Sequence, residues 1–249
     1  MTAIDIAFLI LVAFCTSAMT AVTGSGGGTI LIAILLQFMP PAAAIPVHGV
    51  VQLVSNTWRT WLFRRYLAWH LIWRFALLVP AGIAVGLWLF QGMSPETVQI
   101  LIGCFIVVTL FTRQIRQFRE KEMPLWAFVP LGFFVGVLNM IVGVVAPIIG
   151  VLIIRKELTK EYYVGTLGFF AVLSNFFKLV GFMLAGFSIV QYGPAMLAMI
   201  PAVLIGTSVG KILLGRLSER VFMIVFKTML IGLALKLIVW DSVMRLMAG

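Results

Sequence analysis

Ten apolar runs separated by short breaks occupy most of the 249 residues, at roughly 4–22, 29–39, 42–63, 75–91, 97–112, 125–142, 144–154, 164–187, 194–214 and 222–240. Eight of them are long enough for a membrane span, which takes about 20 residues of helix. The other two, 29–39 and 144–154, have 11 residues each. As helix they reach only about 16 Å, the length of a half-helix or re-entrant segment. Each follows a long run across a break, Thr23-Gly24-Ser25-Gly26-Gly27-Gly28 in the first case and Gly143 to Pro147 in the second. All the runs are too long for barrel strands, and lipid offers a backbone no outside partner, so helix is the form that satisfies every peptide group. Composition closes the case: 62% of residues are hydrophobic and 10% charged, against about 25% charged in a soluble domain. The expectation is an all-α polytopic membrane protein, with about eight transmembrane helices and two half-helices in a single membrane domain, 1–249.

The two halves resemble each other. Gly24, Gly49, Ser55, Asn56 and Arg59 map at a constant offset of 119 onto Gly143, Gly168, Ser174, Asn175 and Lys178. The clearest shared element is Ser-Asn-x-x-basic, Ser55-Asn56-Thr57-Trp58-Arg59 and Ser174-Asn175-Phe176-Phe177-Lys178. Val79-Pro80-Ala81 and Ile200-Pro201-Ala202 match with the offset at 121. Weak internal symmetry of this kind is how transporter repeats show themselves. It divides the chain into repeat one, 1–112, a linker, 113–123, and repeat two, 124–249.

Charge sets the orientation. The loops at 64–74, 113–123, 155–163 and 215–221 hold twelve basic residues, Arg64, Arg65 and Arg74 among them. The loops at 40–41, 92–96 and 188–193 hold none, and the C-terminal tail has only Arg245. The basic loops therefore face the cytoplasm. Run 42–63 then crosses inward and its partner 164–187 outward, so the repeats are inverted and both termini lie outside. A net charge of +10 spread over such loops suits membrane topology and gives no reason to expect nucleic acid. Cys15 and Cys104 sit singly in apolar runs, without a disulfide or metal pattern. With Asp5 and no Lys or Arg before it, run 4–22 reads as a retained helix and not a cleaved signal.

The chemistry available at bilayer depth is cationic. All eight acidic residues fall in loops or at run ends. That argues against carboxylate proton relays, carboxylate cation sites and paired-aspartate proteolysis. His48 and His70 lie 22 residues apart, so there is no metalloprotease motif, and no Walker A sequence is present. Neither an enzyme, a metal nor a cofactor is expected. Lys211, Lys227 and Lys236 stand near run ends, where they can reach the headgroups. Arg59 and Lys178 stand deeper and in register. With no acid beside them, an anionic substrate would best compensate their charge. The half-helix after Gly24, Ser25, Gly26, Gly27 and Gly28 would add free N–H groups and a positive dipole end. Ser55, Asn56, Ser174 and Asn175 would add neutral donors. His48 is a candidate proton site, although Leu167 stands at its repeat position and a lone histidine in an apolar helix is more often a packing residue. The glycines of 82–86 and 206–210 read as close helix packing.

Taken together the chain resembles the TauE/SafE family of sulfite and organosulfonate exporters. The likeness covers nearly the whole length. It rests on Gly24-Ser25-Gly26-Gly27-Gly28 with its half-helix, Pro41-Ala42-Ala43-Ala44, the Arg65-Tyr66-Leu67-Ala68-Trp69-His70 loop and the Pro80-x-Gly82-x-x-x-Gly86 helix. The second break departs from the glycine-rich family pattern with Gly143-Val144-Val145-Ala146-Pro147. The resemblance implies a bacterial carrier for sulfite, sulfoacetate or a related sulfonate, working by alternating access in the lipid bilayer. An anion channel and a non-transporting scaffold are the alternatives, and the chain could also form a homo-oligomer.

Overall fold

The computed structural model describes residues 1–110, 122–153, 158–187 and 190–214. The run 222–240 with Lys227 and Lys236, the C-terminal tail, loop 215–221 and nearly all of linker 113–123 lie outside them. Among the described residues every regular element is helical: α1 (Ala3–Thr23), α2 (Gly27–Leu35), α3 (Pro41–Leu62), α4 (Trp69–Ala76), α5 (Val79–Gln91), α6 (Pro95–Leu110), α7 (Phe128–Val142), α8 (Ala146–Leu152), α9 (Lys160–Leu184) and α10 (Gly193–Leu213), with 3-10 turns at Leu125–Ala127 and Val190–Tyr192.

The two broken elements form for the same local reason. Helix α1 opens on a reciprocal cap, in which the Asp5 N–H donates to the Thr2 hydroxyl and the Thr2 N–H to the Asp5 carboxylate. It stops at Gly24, whose φ of +82° only glycine adopts without strain. Its N–H donates to the Thr20 carbonyl at 2.8 Å. Helix α7 stops in the same way at Gly143, φ +82°, with its N–H on the Asn139 carbonyl at 3.0 Å. The half-helices follow, α2 after Gly26 and α8 after Val145. All of α2 is buried, which is where a helix that is apolar all round must sit.

Four helical segments are long and apolar enough to cross a membrane: Ala3–Thr23, Leu125–Val142, Lys160–Leu184 and Val190–Leu213. Helices α4 and α5, bent by 42° at their junction, would make a fifth. Helix α3 has the length, 22 residues, but buries His48, Gln52, Ser55, Asn56 and Arg59 inside the fold. Its polarity is a property of the interior, not of a lipid face. One expectation needs correcting. The arginine-flanked stretch 64–74, read as a loop, contains most of α4. Leu71, Ile72 and Phe75 are buried on one side while Trp69, His70 and Trp73 face outward, so a short amphipathic helix stands where charge had suggested coil.

Packing pairs α1 with α10, α7 with α5, and α3 with α9. The glycines set the first two approaches. A Cβ at Gly82 would overlap the Phe133 carbonyl, and one at Gly206 the Phe14 carbonyl. Further along, Gly86 faces Val137 and Gly210 faces Ala18. Phe14 and Ala18 stand 119 residues before Phe133 and Val137. The equivalent glycines are therefore 82 with 206 and 86 with 210, an offset of 124. The proline match at 121 is out of register with this packing by three residues. Between α3 and α9 the contact is reciprocal. A Cβ on Gly49 would lie 2.9 Å from Lys178 Cε, and one on Gly168 would lie 3.0 Å from Arg59 Nε. Each glycine makes the socket for the other half's cation.

Candidate functional site

Arg59 and Lys178 are 1% and 0% exposed. Burying a cation is expensive unless something of opposite polarity faces it. Here the facing groups are helix ends. Arg59 Nη1 donates to the carbonyls of Thr20 at 3.1 Å and Gly24 at 3.0 Å. Lys178 Nζ donates to the Gly143 carbonyl at 2.9 Å and reaches Asn139 Oδ1 at 3.5 Å. The left-handed glycine ends each helix while leaving last-turn carbonyls free to accept, and a cation there also meets the negative end of the helix dipole. Thr20, Gly24 and Arg59 stand 119 residues before Asn139, Gly143 and Lys178, so the two halves build matching caps, with the Thr20 backbone carbonyl in one and the Asn139 side-chain oxygen in the other. The caps supply part of the compensation that the sequence assigned to an anionic substrate.

The cations differ in what they have left. Arg59 Nε and Nη2 are buried without a partner among the described residues. The side chain lines a cavity bounded by α1, α2, α3, α7, α8 and α9, together with Thr20, Gly26, Gly28, His48, Gln52, Asn56, Asn139, Gly143, Val144, Val145, Ala146, Ile149, Leu167, Ala171, Ser174 and Asn175. Lys178 does not line it. No carboxylate does either, among the described residues. Two other buried atoms of the lining, Asn139 Nδ2 and Asn175 Oδ1, also lack partners among the described residues.

The residues singled out from the sequence divide here. Gly26, Gly28, His48, Asn56, Arg59, Ser174 and Asn175 meet at the cavity, whereas Gly24, Ser25, Gly27, Ser55 and Lys178 do not line it. Gly24 gives its carbonyl to Arg59. Ser25 is half-buried, and its carbonyl accepts from the Thr23 hydroxyl at 2.7 Å. Gly27 lets α2 press on α1, where a Cβ would overlap the Thr16 carbonyl. The Ser55 hydroxyl is 3.2 Å from that of Ser17 and 3.0 Å from that of Thr207, tying α3 to α1 and α10. Ser174 lines the cavity while its hydroxyl donates to the Phe170 carbonyl at 2.8 Å. The wall that α3 presents is His48, Gln52, Asn56 and Arg59, steps of four, four and three that keep one helical face. The matching positions on α9, Leu167, Ala171, Asn175 and Lys178, are half apolar, so the cavity is asymmetric. Gln52, Asn139 and Thr20 were not anticipated. Gln52 sits one turn from both His48 and Asn56, and Thr20 and Asn139 share the 119 offset, so spacing alone could have found all three.

The half-helix α2 enters the cavity at Gly26 and Gly28, with no side-chain cap on its N-terminus. His48 Nε2 lies 3.0 Å from the Gly28 carbonyl, fixing the ring against that helix. A site with one free guanidinium edge, amide and hydroxyl side chains and uncapped backbone N–H groups is built to hold an anion. The model of the sulfite exporter TauE/SafE family matches residues 9–237, most of the chain. The chain belongs to the TauE/SafE family. It is thereby placed in a family of membrane transporters named for sulfite export, in keeping with its apolar helices. Comparison with curated proteins and with solved structures finds no match.

Proposed function

We propose that this TauE/SafE protein exports a small sulfur-containing anion, sulfite or a compact organosulfonate, across the bacterial inner membrane. The observation that carries the reading is Arg59: a buried guanidinium whose Nη1 caps a helix and whose Nε and Nη2, among the described residues, have no partner on a cavity without a carboxylate. Arginine presents a planar fork suited to two oxygens of one sulfonate headgroup. The substrate-binding set is then Gly26, Gly28, Asn56, Arg59, Ser174 and Asn175, with Gln52 and Asn139 added, while Gly24, Ser25, Gly27, Ser55 and Lys178 hold the frame.

The mechanism is alternating access between two inverted repeats with both termini periplasmic. Its support is the matched helix caps, the reciprocal glycine–cation sockets and the basic bias of the loops. Export has a driving force of its own. With the cytoplasm negative, each unit of anionic charge that leaves gains about 2.3 kcal/mol per 100 mV, so a monoanion needs no second ion.

A thermal-shift panel on the purified protein tests the binding step. Sulfite, methanesulfonate and sulfoacetate are each titrated against chloride at equal ionic strength. A ligand at 100 times its dissociation constant stabilises by about 2.7 kcal/mol, so at least one sulfur anion should raise Tm well beyond chloride. No shift with any of them would overturn the reading.

A further inference from the structure

The cavity is selective in hydrogen-bonding sense as well as in charge. Its unpartnered atoms can be sorted into donors and acceptors by what their other ends already do. The Lys178 ammonium faces Asn139 Oδ1, so the free end of Asn139 is its NH2, a donor. Asn175 donates its NH2 to the Ala171 carbonyl at 2.8 Å, which leaves Oδ1, an acceptor. His48 Nε2 lies against the Gly28 carbonyl and carries its hydrogen there, and the ring also meets the Gly143 carbonyl, so it offers the ligand no settled acceptor. Arg59 Nε and Nη2 can only donate. A ligand that satisfies this set must accept from Arg59 and Asn139 and also donate to Asn175. Sulfite dianion, sulfate and methanesulfonate have no hydrogen to give. Each would leave Asn175 Oδ1 buried and unsatisfied, the costly half of the hydrogen-bond asymmetry.

Charge and size agree. Among the described residues Arg59 is the one cation on the lining, since Lys178 of α9 is turned to Gly143 and Asn139. His48 is the other titratable side chain facing the cavity, and among the described residues α1, α2, α7 and α8 present none. One cation matches one negative charge. The cavity has a volume of about 30 Å³, enough for about two or three waters at about 10–15 Å³ each. That suits a compact oxygen headgroup and leaves little for a long organic chain.

Building on the exporter reading, we propose that the species bound is a singly protonated sulfur oxyanion, hydrogensulfite in place of sulfite dianion or an alkyl sulfonate. Calorimetric titration of the purified full-length protein, from one pH unit below to two above the second dissociation of sulfurous acid, tests this. Methanesulfonate, a permanent monoanion with no donor, is titrated in parallel over a higher concentration range; it should bind more weakly than sulfite below that dissociation, and its pH profile carries any effect of the protein's own titration. Expected is a sulfite affinity that falls, relative to methanesulfonate, by about tenfold per pH unit above that dissociation, with sulfate failing to compete. A ratio that stays constant or rises with pH would overturn the protonated-ligand inference and leave the exporter reading standing. Absence of sulfite binding at every pH would overturn the inference, and absence of binding by both anions would overturn the exporter reading as well.

Discussion

Arg59 and Lys178 occupy matching places in the two halves, yet the structure gives them different work. Arg59 spends one nitrogen on the end of α1 and keeps two free, whereas Lys178 spends its ammonium on the end of α7. Arg59→Lys therefore keeps the charge but loses the fork. It is expected to weaken sulfite binding by about tenfold or more, the scale of one charge-assisted hydrogen bond. Lys178→Arg forces a larger head into a socket already closed by Gly49, where even a Cβ would sit 2.9 Å from Lys178 Cε. Its effect should fall on stability, with overpacking costing about 1–3 kcal/mol and sulfite affinity little changed at a temperature where the variant is folded. Thermal melts with and without sulfite on both variants separate the two roles, and loss of affinity in Lys178→Arg equal to that in Arg59→Lys would contradict the division. The pairing of these residues was legible in the sequence because the 119 offset holds over both cations and both glycine breaks. Their division of labour was not, because it depends on which atoms of each side chain the neighbouring helix end consumes.

At the level of helices, the half-length of runs 29–39 and 144–154 foretold α2 and α8, since a run too short to span must pack inside. Helix α4 was missed because arginines at both ends of 64–74 outweighed the spacing of Leu71, Ile72 and Phe75. The assignment of Ser55 to the site failed for another reason. Residues i and i+4 share a helical face, but packing decides which side of that face meets the cavity, and Ser55 turned to Ser17 and Thr207. The small-residue reading of 82–86 and 206–210 describes the contacts found at Gly82 and Gly206. Alanine at either position must push two helix backbones apart, so Gly82→Ala and Gly206→Ala should each destabilise by about 1–3 kcal/mol. Gly193→Ala, where nothing lies within 4 Å, should be close to neutral. Melting temperatures of the three variants check this, and equal stability across them would show that the helices are not held in that contact.

For the molecule as a whole, the charge of the loops predicts the orientation. In a background with Cys15 and Cys104 replaced by serine, Phe118→Cys should resist an impermeant thiol reagent in intact cells and react once the inner membrane is opened, because the 113–123 linker carries Arg113, Arg116, Arg119 and Lys121. Labelling in intact cells would reverse the topology. Fold class was readable from apolar run length alone, and the anionic nature of the substrate from the absence of acids at depth. The protonation state of the ligand was not, since it rests on atoms whose free ends only the packing of α2, α3, α7 and α9 defines. The central claim is that a sulfur anion passes through the Arg59 cavity. Counterflow of radiolabelled sulfite in proteoliposomes measures it directly, with wild type and an Arg59→Gln variant of matched melting temperature. The account predicts saturable uptake by the wild type and loss of it in Arg59→Gln. Uptake by Arg59→Gln at the wild-type rate would contradict it.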